Sequence, residues 1–193
     1  MNISHQEFLL QVEEQLEAQL AEVISVFQNL PEDRLLQPAD NGGWSITECL
    51  EHLNTYAEFY LPRIDAALQK APECPADQLF SFSFLGKYFI NSMDPDQSRK
   101  KYKAMKRHRP AQVSNAYGIV SRFIQYLEDM LQLVRKARHK NWMKTSVATS
   151  ISPWIKISAG DAIQFVLTHN RRHLVQARQL VASNAVETTN QRA

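Results

Sequence analysis

Trp44-Ser45-Ile46-Thr47-Glu48-Cys49-Leu50-Glu51-His52-Leu53 is the stretch on which the fold turns. Ser45 followed three residues later by Glu48, at the head of an apolar run, is a capping-box pattern, so a helix opens here. Ile46, Cys49, Leu50 and Leu53 then recur at helical spacing and give the helix one apolar face. His52 sits two turns in, with Leu50, Leu53 and Phe59 around it. An imidazole buried there without a partner would be costly, so His52 calls for one.

Working outward, Leu9, Val12, Leu16, Leu20, Val23 and Phe27 predict a first helix from about Ser4 to Asn29, ended by Pro31. Asn41-Gly42-Gly43 reads as the turn before helix two. Pro62 predicts a kink or interruption of that helix at Leu61, after which Ile64, Ala67 and Leu68 carry the pattern to about Lys70. The pattern lapses from Ala71 to Val113 and resumes in a third helix with Tyr117, Val120, Phe123, Ile124, Leu127, Met130, Leu131 and Val134. After Ser152-Pro153-Trp154, Ser158 and Asp161 form a second capping box, which opens a fourth helix to about Asn184. Residues 186–193 read as a polar tail. With five glycines and no Asn-Gly hairpin between alternating strands, the fold class is all-α, one domain over residues 1–185. A short loop would force helices two and three antiparallel. A connector as long as Ala71 to Val113 lets them lie parallel, as a crossover in a four-helix bundle.

His169 and His173 ride the fourth helix one turn apart, which stacks two imidazoles on one face with Cβ atoms about 5–6 Å apart. Ile163, Phe165, Val166, Leu167 and Leu174 make that helix strongly apolar. Two such histidines can share an ion if a third ligand comes from elsewhere, and His52 on its own amphipathic helix supplies it. His5, His108 and His139 have charged or polar neighbours and read as solvated. The formal charge of +2 is near balance, which argues against a general polyanion binder. Cys49 and Cys74, with a polar start at Met1-Asn2-Ile3-Ser4, point to a reducing cytoplasm without disulfides. No run approaches the ~18 apolar residues of a membrane span.

Trp44-Ser45 opening a helix that contains Glu51-His52-Leu53, a long connector, Pro153-Trp154, Gly160-Asp161-Ala162 and His169-Asn170-Arg171-Arg172-His173 with Gln176 together resemble the DinB superfamily of metal-binding four-helix bundles. This is not the translesion polymerase of the same name. The resemblance covers nearly the whole chain. It implies an up-down-down-up bundle with the crossover between helices two and three, His52, His169 and His173 as metal ligands, and pairing of copies as homodimers.

Three neutral imidazoles leave a divalent ion its full charge and at least one open position, the arrangement by which zinc lowers the pKa of water to about 7. The same position accepts a thiolate. Two reactions therefore fit: metal-dependent hydrolysis, and transfer of a low-molecular-weight thiol to an electrophilic small-molecule substrate. The resemblance supports both. Imidazole suits zinc, nickel, iron and copper alike, with manganese kept as a further candidate, so the metal's identity stays open. Asn170 after His169, where a zinc protease carries Glu, argues against that motif.

Glu48, one turn before His52, is a candidate base or hydrogen-bond partner of a ligand, although its capping role already occupies it. Gln176 is a candidate support for His173, and Cys49 reads as a small buried hydrophobe. The aromatic run Leu79-Phe80-Ser81-Phe82-Ser83-Phe84-Leu85 with Tyr88-Phe89 could line a pocket over the metal or form core for the crossover. Seven basic residues lie between Arg99 and Arg109 and read as a solvated helix face, with nucleic-acid binding or capture of an anion as rivals. Beside the enzyme, a metal-stabilised stress-response or binding module without turnover remains open, and a nucleic-acid-associated protein is the weakest reading.

Overall fold

The computed structural model describes residues 3–98, 100, 102–110, 113 and 115–190, with side chains to residue 182. Arg99 and Lys101 of the basic run, and residues 191–193 of the expected tail, lie outside the described residues. The elements in order are β1 (Ile3–Ser4), α1 (His5–Glu22), α2 (Glu32–Leu36), α3 (Ile46–Gln69), β2 (Leu79–Phe80), α4 (Phe84–Met93), α5 (Ala116–Lys136), β3 (Val147–Ala148), β4 (Lys156–Ile157) and α6 (Ala159–Asn190). A π-helical turn at Val23–Phe27 extends α1, and a single 3-10 turn covers Lys106–His108. Two short antiparallel ladders, β1 with β2 and β3 with β4, are the departure from an all-helical chain.

The four long helices are α1, α3, α5 and α6, and their polar pairings fix their directions. Gln15 bonds Gln164, Gln19 bonds the Leu167 carbonyl and Asn170, and Arg178 bonds Glu22, so numbers rise together and α1 runs parallel to α6. Glu13 receives Arg135 and Arg138 from the end of α5, which makes α1 and α5 antiparallel. Glu51 meets Arg122 near the starts of α3 and α5, which lie side by side and parallel. The bundle is therefore up-down-down-up, with the crossover between its second and third long helices.

Local chemistry explains the boundaries. Ser45 Oγ accepts from Glu48 N–H while Glu48 Oε2 accepts from Ser45 N–H at 2.8 Å, a closed capping box that starts α3. Ser158 and Asp161 repeat it at the head of α6. Pro62 does not interrupt α3, contrary to expectation, and the helix runs unbroken from Ile46 to Gln69. Proline costs the helix the amide that would serve the Glu58 carbonyl, one hydrogen bond of the many that hold α3. The crossover is more ordered than expected. Ser83 caps the helix α4, which packs on α6, and Phe80 stacks on Phe8 of α1 with centroids 3.6 Å apart. The fourth long helix continues past the expected Asn184 to Asn190. No helix of the described residues is long and apolar enough to cross a membrane.

Candidate metal centre

Helix α3 brings His52, and α6 brings His169 and His173, to one point between antiparallel helices. One ligand nitrogen from each lies within 4.8 Å of the others, and His52 Nε2 is 3.3 Å from His169 Nε2. At a metal–nitrogen distance of about 2.0–2.1 Å, tetrahedral ligands sit about 3.3–3.4 Å apart, so this pair already has the separation an ion requires. Two of the three rings are aimed by a neighbour. His52 Nδ1 donates to the His108 carbonyl at 2.5 Å, leaving the Nε2 lone pair toward the centre. His173 Nδ1 donates to Gln176 Oε1 at 3.1 Å with the same result. His169 Nδ1 is buried with no partner among the described residues, so its tautomer is set by what its Nε2 meets.

Burial keeps all three rings neutral. It lowers the pKa of His52, takes His169 well below the ordinary range with His173 adding to the effect, and holds His173 down at about 3. Neutral imidazole is the form that binds a metal.

The family model of the DinB superfamily matches residues 15–177. The chain belongs to the DinB superfamily. Among solved structures it is similar to YfiT from Bacillus subtilis, described as a probable metal-dependent hydrolase with an unusual four-helix bundle topology. The two are 16% identical with a TM-score of 0.53, over 93% of this chain and 87% of that one. No curated protein matches.

In this DinB protein the three histidines form the floor of a cavity of about 790 Å³. Trp44 walls it, its ring centroid 4.8 Å from His52 and 5.8 Å from His173. Tyr56, one turn after His52, packs its ring 4.2 Å from His169 and lines the cavity, and burial pushes its hydroxyl up to about 12. Tyr60 and Ser150 lie beside it, the Ser150 N–H donating to the Tyr60 oxygen at 3.0 Å. None of the described lining residues carries a carboxylate.

Glu48 is held at the entrance of α3 by its capping bonds and is not among the residues lining the cavity. Cys49 is buried, and its thiol is pushed up to about 12 by desolvation and then by Glu48, as befits a small hydrophobe. Of the aromatic run only Phe89 reaches the cavity; Phe80 is core, and Phe84 and Tyr88 are exposed. The described residues of the basic run form no α-helix face, only a single 3-10 turn at Lys106–His108. Arg172 of α6 donates to the Ser98 and Lys100 carbonyls at 3.0 and 2.6 Å, and Lys103 reaches the cavity rim.

His5 and His108 are buried, against the expectation that they are solvated; His139 is exposed. For His108 the sequence neighbours misled, because the 3-10 turn exposes Lys106 and Arg107 while turning His108 inward against Tyr56. Tyr56 was the residue within reach of sequence reasoning, four after His52 and so on the same face.

The buried histidines predict an acid-sensitive apo fold. Unfolded histidine protonates near 6.5, whereas folded His108 and His173 resist protonation down to about 4 and about 3. Between those values the unfolded chain binds more protons, so stability present above about pH 6.5 is lost as pH falls. At ~1.4 kcal/mol per pH unit for each group, the Tm of chelator-treated protein is expected to drop by roughly 5 °C or more from about pH 6 to about pH 5. A flat Tm across that interval in a thermal-melt series would contradict it.

Proposed function

We propose that this protein is a metal-dependent hydrolase of small molecules, with His52, His169 and His173 holding one divalent ion at the floor of the cavity. The observation that carries the reading is the convergence of three buried, neutral imidazoles from two helices onto one point open to about 790 Å³ of cavity. The description of YfiT points the same way. When bound, an ion on three neutral ligands lowers the pKa of coordinated water to about 7 and polarises a carbonyl. Zinc, nickel, iron and manganese are the candidates. The chain's own groups do the rest. The His108 carbonyl and Gln176 orient ligand rings, while Trp44 and Phe89 keep water from the walls. Tyr56 keeps its proton at neutral pH, its hydroxyl bonded to Ser150 in the cavity wall.

One observation favours transfer of a low-molecular-weight thiol as the second reading. A cavity with Lys103 at its rim and no carboxylate in its wall suits an anionic thiol. The free Cys49 and Cys74 accord with a cytoplasmic protein, and a homodimer is the assembly the family resemblance implies.

The test is elemental mass spectrometry of protein purified without a tag, followed by an ester and amide screen with and without added thiol. Near one divalent ion per chain and turnover without thiol are expected. Turnover that appears only with thiol would replace hydrolysis by transfer. No retained metal, and no Tm rise with any of the four metals, would overturn the metal centre.

A further inference from the structure

Thr55 and His108 stand outside the three-histidine cluster, yet they close a ring of hydrogen bonds around one of its members. His52 Nδ1 donates to the His108 carbonyl at 2.5 Å. His108 Nδ1 lies 2.9 Å from Thr55 Oγ1, and the Thr55 hydroxyl donates to the His52 carbonyl at 2.7 Å. A hydroxyl has one proton, and that of Thr55 is engaged by the His52 carbonyl. His108 Nδ1 must therefore be the donor to Thr55. The bonds run in one sense: His52 ring to His108 backbone, His108 ring to Thr55, Thr55 to His52 backbone.

The arrangement links two parts of the chain that sequence keeps far apart. His108 belongs to the crossover and is its buried anchor here, its ring 4.1 Å from Tyr56 and edge-on to Phe59. Its Nε2 is buried with no partner among the described residues, which a bare lone pair tolerates better than an N–H would. The flanking residues face outward, Arg107 lying over the Phe59 ring. The side chain of His108 therefore fixes where its own carbonyl sits, and that carbonyl decides which nitrogen of His52 carries the proton.

We propose that His108, pinned by Thr55, is a positioning residue that locks His52 with its proton on Nδ1 and its lone pair on Nε2, so that seating of the crossover at residues 105–109 and readiness of the metal centre are one equilibrium. The inference rests on the metal-binding reading of the triad. A His52 ring without this acceptor divides between two tautomers and several orientations, and only one of them offers Nε2 to the centre. The coupling is reciprocal. Whatever factor the seated crossover adds to metal affinity, the metal returns to the seating of the crossover.

The experiment uses the full chain with four substitutions: Thr55→Val, which keeps shape and deletes the hydroxyl, His108→Ala, and the conservative Thr55→Ser and His108→Asn. Zinc affinity by chelator competition is expected to fall about 10–100-fold in Thr55→Val and in His108→Ala. The double variant should be no weaker than the worse single one, since both break one ring. Thr55→Ser should stay within a few-fold of the parent, and the visible spectrum of cobalt-loaded protein should change in Thr55→Val and His108→Ala but not in Thr55→Ser. In metal-free protein, nitrogen-15 NMR of the imidazoles should show His52 as the Nδ1–H tautomer in the parent and as a mixture in Thr55→Val. Zinc should slow tryptic cleavage after Lys106 and Arg107 in the parent and in Thr55→Ser, and not in Thr55→Val or His108→Ala. Zinc affinity within twofold of the parent in both Thr55→Val and His108→Ala would overturn the proposal, as would an unchanged His52 tautomer. A parent that binds no metal but shows the tautomer and its loss in Thr55→Val would overturn the metal reading and leave the lock on His52 standing.

Discussion

Replacing His169 by Ala is expected to take metal content from near one divalent ion per chain to below about a tenth, and hydrolytic turnover down by roughly 10³-fold or more. His169 is buried like His52, with its Nε2 3.3 Å from that of His52. Its loss leaves one imidazole on each helix. Removing an outer-shell partner already costs about 10–100-fold in metal affinity, and removing a ligand costs more. A thousandfold rate loss is about 4 kcal/mol of transition-state stabilisation, within what a metal's charge supplies. Stability separates this outcome from misfolding. At a hundredfold excess over its Kd, an ion stabilises the parent by about 2.7 kcal/mol, or roughly 5–10 °C in Tm for a chain of this size. The variant should show no such rise. Its metal-free Tm should lie close to the parent's, because the lost packing is offset by removal of a buried Nδ1 with no partner among the described residues. Metal content and Tm come from calorimetry and elemental analysis on the same samples. A variant that keeps its ion and its zinc-induced Tm rise would remove His169 from the centre, and a parent with the Tm rise but no turnover on any substrate would leave a metal-stabilised module.

What the sequence made legible was local or periodic. Both capping boxes, Ser45 with Glu48 and Ser158 with Asp161, involve residues three apart and were readable as written. So was the triad, because helical spacing places His169 beside His173 and the apolar stripe of α3 turns His52 inward. The parallel pair α3 and α5 followed from the length of the crossover. What stayed hidden depends on contacts made across the fold. α4 has ten residues, too few to stand alone in water, and takes its stability from α6 rather than from its own propensity. The alternation Ser81-Phe82-Ser83-Phe84 at its head looks extended until Asp161 supplies an acceptor for Ser83. His108 sits in a run of cations whose sequence says surface, and only the close passage of the crossover over α3 shows that one residue of the turn points inward. The interruption expected at Pro62 is absent, because α3 is held by its packing against α5 and α6.

Asp161→Ala is expected to lower stability by roughly 3–5 kcal/mol and Tm by roughly 10 °C or more. Asp161 is buried at the head of α6, and its carboxylate accepts three hydrogen bonds: from Ser83 N–H at 3.0 Å, from the Ser83 hydroxyl at 2.8 Å and from Ser158 N–H at 3.2 Å. Ser83 Oγ in turn accepts from Gly86 N–H as the cap of α4. One carboxylate therefore sits at the positive ends of two helices and joins the crossover to the helix that carries His169 and His173. Alanine removes three hydrogen bonds to a charged acceptor, each worth about 1–1.5 kcal/mol here, because Ser83 is exposed and Ser158 half-buried and water replaces part of the loss. Asp161→Asn keeps one acceptor oxygen and should lose roughly half as much. The functional consequence is selective. His169 lies two turns further along α6, held by the body of that helix, so zinc affinity of the folded variant should change by less than about tenfold. Phe89, by contrast, rides on α4 and walls the cavity, so substrate affinity should weaken as α4 loosens. Gly86 tests the same joint from the other side, because a Cβ there would collide with the Asp161 carboxylate. Gly86→Ala and Asp161→Ala together should cost less than the sum of their separate effects, since the second change removes the two nearest atoms with which the first collides and leaves only the Cβ, at 2.8 Å. Thermal melts of the three variants decide it: an Asp161→Ala protein melting within about 2 °C of the parent would show that α4 is held by its apolar contacts with α6 and not by this carboxylate.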